Sequence, residues 1–203
     1  MRCGKREVRG VKSETIPLAP FALLSSPPVD AMLLLESPMH PAALSIDRLL
    51  RDCSERHVRR SGPGGQHRNK VESGVILKHA PTGVAAEASE RRTQRENLKV
   101  VIGRLRRNLA LEVREEVSAR GPSEAWRSRV RNGRLAVSER HELFPTLLAE
   151  ALDHLSAADW DVGRAAERLG ITSSQLVKFF KLEPRALRRL NDERAARGLG
   201  AMK

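Results

Sequence analysis

Apolar positions recur at two spacings along this chain, and the change from one to the other divides it into elements. After Ser45, a capping residue, Leu49 and Leu50 stand where a short helix over SIDRLLRDC turns them inward. HVRRSG follows as a short strand. In ESGVILKHAPTGVAAEAS, Val75 and Leu77 alternate onto one face, Pro81-Thr82-Gly83 carry turn chemistry, and Val84 and Ala86 continue, which is a β-hairpin pattern. The spacing then becomes three and four. Leu98, Ile102, Leu105, Leu109, Val113 and Val117 make one apolar stripe on a helix expected over Thr93–Ala119, with Arg95, Lys99, Arg106 and Arg107 largely off it.

Gly121-Pro122 breaks the pattern, and the chain beyond it reads as wholly helical. Helices are expected over Leu143–Leu155, Asp161–Leu169, Thr172–Leu182 and Pro184–Arg197. Asp159 or Trp160 is expected to start one of them, Gly170 to end it, Thr172 or Ser173 to cap the next, and Pro184 to sit in a first turn. The expected fold class is therefore α+β. A few-stranded sheet covered by a long helix (41–120) precedes an all-α, helix-turn-helix-like C-terminal region (121–203). Residues 1–40, with prolines at 17, 20, 27, 28 and 38, are expected to be a disordered tail. Their apolar pieces FALL and MLLL are too short for a signal peptide. Glu7, Glu14, Asp30 and Glu36 argue against an organelle-targeting segment, and Met39 is an alternative start.

Charge narrows the partner class. The 203 residues carry a formal net charge of +12, which favours a polyanion, and without a long apolar run nucleic acid is preferred to membrane. A basic globule with no such partner is the competing reading. Aromatics are 3% of the chain, with no Tyr, so base stacking is not the obvious mode of binding. The cysteines, Cys3 and Cys53, define no disulfide framework, which points to a reducing compartment. Cys53 and His57 are four apart, but two ligands do not make a structural zinc site, and neither metal nor cofactor is expected.

The densest chemistry lies in RRSGPGGQHRNKVESG, from Arg59 to Gly74. Chance supplies a Gly-Gly-Gln triplet in roughly one chain in twenty-five of this length, so the triplet alone decides little. Gly64 and Gly65 allow left-handed backbone and close approach to another surface. Gln66 is never ionised near neutral pH; it is a poor base but can orient a water or bond a leaving group. Arg59, Arg60, His67, Arg68 and Lys70 surround it with groups suited to phosphates. The loop has no pocket, nucleophile or metal of its own, so any catalysis would borrow most of its site from the partner.

Taken together, RRSGPGGQHRNKVESGVILKHAPTGVAAEASERRTQRENL resembles the catalytic domain of class I bacterial-type peptide chain release factors, over about residues 45–117. The shared elements are Gly64-Gly65-Gln66, then His67, Asn69 and Lys70, the Ser73 region, the Pro81-Thr82-Gly83 turn, and Arg92-Thr93-Gln94 with Asn97. The resemblance implies hydrolysis of the peptidyl-tRNA ester in the large ribosomal subunit. Gln66 would stabilise the transition state through its backbone N–H and place the water with its side chain. Arg59, Arg60, His67, Arg68, Asn69, Lys70, Arg92, Gln94 and Arg95 are the implied contacts to ribosomal RNA and tRNA. Arg68 departs from the family, which usually has a small apolar residue there. Only about 45 residues precede the region of resemblance, many of them irregular, and no stop-codon-reading motif is recognisable. The chain is thus similar to short, codon-independent rescue hydrolases, expected to act as a monomer in the cytoplasm or, alternatively, the mitochondrial matrix.

The C-terminal helices offer a different function. In AAERLGITSSQLVKFFK, Ala166, Gly170 and Leu176 have helix-turn-helix spacing, leaving Ser173, Ser174, Gln175, Lys178 and Lys181 for a recognition face. The segment resembles the DNA-binding helices of some bacterial regulators, although helical bundles without ligands share the spacing. Arg185, Arg188, Arg189, Arg194 and Arg197 form a further basic group, read equally as a solvated face. The alternatives to a ribosomal hydrolase are a non-catalytic RNA binder and a DNA-binding regulator.

Overall fold

The computed structural model describes residues 39–59, 72–117 and 121–203. It begins with a 3-10 turn, Pro41–Ala43, capped by His40, whose Nδ1 accepts from Ala42 N at 3.0 Å. Ser45 then caps helix α1 (Ile46–Arg51), which buries Leu49. Three antiparallel strands follow, β1 (Cys53–Val58), β2 (Gly74–His79) and β3 (Ala85–Ala88), in the order β1-β2-β3. The register pairs Val58 with Gly74 and Val75 with Ala88. Alternation on β2 sends Val75, Leu77 and His79 inward. Gly83, at φ 74°, closes the β2–β3 turn in the left-handed region that glycine tolerates.

Helix α2 (Gln94–Glu112) covers the sheet with Val101, Leu105 and Leu109, all fully buried. It ends a turn and a half before the apolar spacing does. Val113 is already extended, and the carbonyl it presents bonds His40 Nε2 at 3.3 Å. Next to it, Arg114 Nη1 pairs with Asp153 Oδ1 at 2.8 Å, and Glu115 N donates to the same oxygen at 3.3 Å. These bonds compete successfully with another turn of helix because they neutralise a largely buried carboxylate. Val117 therefore belongs to no helical stripe.

Beyond Pro122 the chain is not wholly helical. After α3 (Glu124–Arg129), two-residue strands β4 (Val130–Arg131) and β5 (Arg134–Leu135) form a tight hairpin. Asn132-Gly133, at φ 50° and 70°, is the residue pair that a type I′ turn requires. Four helices complete the chain: α4 (Phe144–Ser156), α5 (Val162–Arg168), α6 (Ser173–Phe180) and α7 (Pro184–Ala196). Asp161 caps α5; Asp159 and Trp160 lie before it with φ of 53° and 61°. Trp160 N returns to Leu155 O at 2.8 Å, closing the end of α4 as Ile171 N to Ala166 O closes α5 around Gly170. Thr172 caps α6, and Pro184 opens α7. The α+β class is as expected.

One hydrophobic cluster runs from the sheet and α2 into the C-terminal helices. Helix α4 packs along α2, while α5, α6 and α7 pack in succession. Trp126 of α3 is fully buried, donates from Nε1 to Leu169 O at 2.9 Å, and meets Phe179 edge-on at 6.0 Å. Arg106 reaches from α2 to the carbonyls of Ala42 (3.1 Å) and Leu44 (2.9 Å), fastening the start of the described chain.

Candidate functional site

The Gly-Gly-Gln segment joins β1 to β2. Gly64, Gly65, Gln66 and their neighbours Arg60, His67, Arg68, Asn69 and Lys70 lie outside the described residues. The base from which the segment leaves and to which it returns is described on both sides, and it is held by the start of α2.

Asn97 is the centre of that base. It is fully buried. Its Nδ2 donates to Ser73 O at 2.7 Å and to Arg91 O at 3.0 Å, and its Oδ1 accepts from Arg91 N at 2.9 Å. One amide thus ties the returning strand end to the loop before α2, with each polar atom satisfied. Gln94, one turn earlier and exposed, donates from Nε2 to Glu72 O at 2.7 Å. Thr93 caps the helix, accepting from Glu96 N at 3.2 Å while its hydroxyl donates to Glu96 Oε2 at 2.9 Å. This is a variant of the capping box in which the carboxylate accepts a hydrogen bond from the hydroxyl.

Gly74 completes the base by having no side chain. A Cβ there would lie 2.8 Å from both Val58 Cγ2 and Val58 O and 3.2 Å from Ser89 Cβ. The absence of a side chain lets β1 and the β3 end close on the strand that leaves the segment. Arg104 braces the neighbouring loop, donating to Glu87 O at 2.7 Å and forming a two-pronged pair with Glu90 at 2.7 and 3.2 Å. The Arg59–Glu72 pair spans the same base at 3.8 Å, but both side chains are more than half exposed, so it adds little rigidity.

The described members of the expected RNA contact set are therefore of three kinds, the first being Arg59, paired with Glu72. Arg92 and Arg95 are exposed at the start of α2, beside the base in the chain, with no ion pair among the described residues. Gln94 is engaged with Glu72 and acts on the segment's anchorage. Cys53 and His57 both lie on β1, where His57 Nε2 is 3.3 Å from Glu55 Oε1. The basic group on α7 proves largely occupied. Arg185 bonds Glu183 and Asn108, each at 2.9 Å, and Arg189 bonds Leu111 O. Arg194 bonds Gly200 O and Trp160 O, and Arg197 bonds Glu193 while covering the Trp160 ring. These arginines are chiefly fasteners of the C-terminal helices, which periodicity could not reveal.

Beyond its place among the shared family elements, the clamp of Asn97 had one legible sign. Asn97, Val101 and Leu105 are spaced by four, so a polar residue sits on the inward row of α2. Nothing local indicated that Ser73 and Arg91 would be its partners.

Two paired strand ends braced on a three-stranded sheet and backed by one long helix define the class of this domain, and comparison supplies its family. The RF-1 domain matches residues 44–146, just over half of the chain, and the chain belongs to that family. It is 38% identical to peptide chain release factor 1 of Leptothrix cholodnii over 85 residues, 42% of this chain and 21% of that one. Similarity to peptide chain release factor 1 of Xylella fastidiosa is 32% over 116 residues, covering 57% of this chain and 29% of the relative. Peptide chain release factor 2 of Buchnera aphidicola is 36% identical over 72 residues, 36% of this chain and 20% of that protein. The chain thus matches about a fifth to three tenths of the length of these relatives.

Proposed function

We infer that this protein hydrolyses the peptidyl-tRNA ester on the ribosome without reading a stop codon, and so releases stalled chains. The observation that carries the reading is Gly64-Gly65-Gln66 in the segment between two strand ends that Asn97, Gln94 and Gly74 hold in register. The family and the names of the matched relatives supply its context.

In the reaction a water oxygen attacks the ester carbonyl carbon and the ester C–O bond breaks. The peptide leaves with a carboxylate, and the tRNA hydroxyl regains a proton. Gln66 cannot take up a proton near neutral pH, so its contribution is placement of the water and donation of its backbone N–H to the developing negative charge. Gly64 and Gly65 admit the backbone into a crowded RNA site. Arg59, Arg60, His67, Arg68, Asn69, Lys70, Arg92 and Arg95 hold phosphates around it, Gln94 stabilises the end at which the segment returns to β2, and most of the reaction site is ribosomal RNA. The protein would work as a monomer, in the cytoplasm.

The test is release of labelled peptide from ribosomes holding peptidyl-tRNA, with a stop codon, a sense codon, or mRNA truncated at the P site. Release on truncated mRNA, lost in Gln66→Ala while ribosome binding persists, is the expected result. Release confined to stop codons would overturn codon independence, and undiminished release by Gln66→Ala would overturn the assignment of the site.

A further inference from the structure

The β4–β5 hairpin has a feature that its fold does not require. Arg131 and Arg134 are direct cross-strand partners next to the turn. Like charges placed opposite each other in an antiparallel pair destabilise it, their Cβ atoms being only about 5 Å apart. Both side chains are exposed, and neither has a hydrogen bond or ion pair to the described residues. The hairpin is nevertheless held firmly: Val130 and Leu135 pack against the core, Ala136 N bonds Arg129 O at 2.9 Å, and Trp126 anchors the preceding helix through Leu169 and Phe179. Two uncompensated guanidiniums are thus presented at the tip of a rigid element.

Strand β5 packs against α6, which brings a second set of cations to the same part of the molecule. Leu176, Val177, Phe179 and Phe180 turn inward, and Ser174, Lys178 and Lys181 are exposed. No Asp or Glu occurs in 127–138 or in 171–182. The next acid, Glu183, is buried and paired with Arg185. Within these two segments positive charge has no counter-charge, and Glu167 lies to one side, in the cleft it lines with Arg127 and Val130 at the hairpin's base; the exposed cations suit regularly spaced phosphates.

The nature of the polyanion follows from what the surface lacks. Trp126, Phe144, Trp160, Phe179 and Phe180 are all buried, so no Phe or Trp among the described residues is offered for stacking unpaired bases. Backbone contact with a duplex remains. The deep, narrow major groove of an RNA duplex does not admit a helix, so such a surface would lie across its phosphates.

We propose that Arg131 and Arg134 of the hairpin, with Lys178 of α6 and Lys181 at its C-terminal cap, form a second binding surface for the phosphate backbone of double-stranded RNA. The choice of RNA over DNA rests on the ribosomal reading above; the charge argument does not. The surface adds a contact separate from the segment carrying Gln66. It would hold the protein on a structured RNA without base specificity.

The test measures binding of the full chain to a 20-base-pair RNA duplex by fluorescence anisotropy, across a range of salt concentrations. Arg131→Gln/Arg134→Gln is expected to weaken binding about tenfold at roughly 0.1 M salt and to reduce the slope of log K against log salt by about 2, one unit per lost phosphate contact. Lys178→Gln/Lys181→Gln should behave alike. Arg48→Gln/Arg51→Gln, the same charge change on exposed residues of α1, should have a much smaller effect. Removing the like-charge pair should leave thermal stability equal or slightly higher, so loss of fold is not expected to confuse the result. Gln66→Ala should bind the duplex normally, which lets the release reading and the surface fail separately. Equal losses in the hairpin and α1 variants, or tighter, sequence-specific binding to a DNA duplex, would overturn the proposal.

Discussion

Replacing Asn97 with alanine removes a side chain that makes three hydrogen bonds from a fully buried position. The groups left behind are the carbonyls of Ser73 and Arg91 and the N–H of Arg91. An orphaned buried polar group costs about 1–3 kcal/mol, but Arg91 is exposed and Ser73 half-buried, so water can reach them and the lower end applies. Three such losses amount to about 3 kcal/mol. That is well inside the usual 5–15 kcal/mol stability of a domain, so the variant should remain folded. For a unit of this size each kcal/mol moves the midpoint by about 2–4 °C, giving a fall of about 6–12 °C in Tm. Function should suffer more than stability suggests, because a misplacement on the order of 1 Å in a reacting group costs roughly 100-fold in rate. Calorimetry paired with single-turnover peptide release, below the variant's melting range, measures both. Gln94→Ala is the companion: its bond to Glu72 is exposed, so Tm should change by less than about 3 °C while release still falls. A Tm within 2 °C of wild type for Asn97→Ala would refute the energetic argument. Full release activity in both variants would refute the claim that the α2 end positions the segment.

Two glycines of the domain should respond oppositely to alanine. Gly74→Ala places a Cβ 2.8 Å from the Val58 backbone oxygen and should cost about 1–3 kcal/mol, whereas Gly103→Ala, exposed within α2 with no atom within 4 Å, should stabilise by about 0.5–1 kcal/mol. Urea unfolding of the two variants reads the sign directly; destabilisation by both would mean that α2 is packed differently around Gly103. Burial lowers the His40 imidazole to about 4, against the Val113 carbonyl and with help from Arg114. As pH falls from about 6.5 towards 4 the unfolded chain takes up a proton that the folded chain refuses, so the stability from neutral His40 is present above 6.5 and is lost through that window. Allowing for its partial exposure, the loss is on the order of 2 kcal/mol. The stability gap between wild type and His40→Gln should shrink accordingly between pH 7 and pH 4.5, and a gap independent of pH would refute the assignment.

What the sequence determined by itself was local. Alternation specified β2 and β3, a spacing of three and four specified most of α2, and Ser45, Thr93, Thr172, Gly170 and Pro184 marked helix ends because capping and φ preferences act within a few residues. Gly64-Gly65-Gln66 was legible for the same reason: its chemistry is written in consecutive positions. The tertiary structure decided whatever depended on a partner distant in the chain. Helix α2 stops at Glu112 because Arg114 and Glu115 find Asp153 nearly forty residues away. Asn97 serves the segment because Ser73 arrives beside it, and Arg194 is spent on Trp160 instead of facing an external anion. The hairpin lies between these cases. Asn132-Gly133 carried its turn signal openly, but strands of two residues are too short to show alternation. They persist because Val130 and Leu135 find a core surface already built by helices on either side.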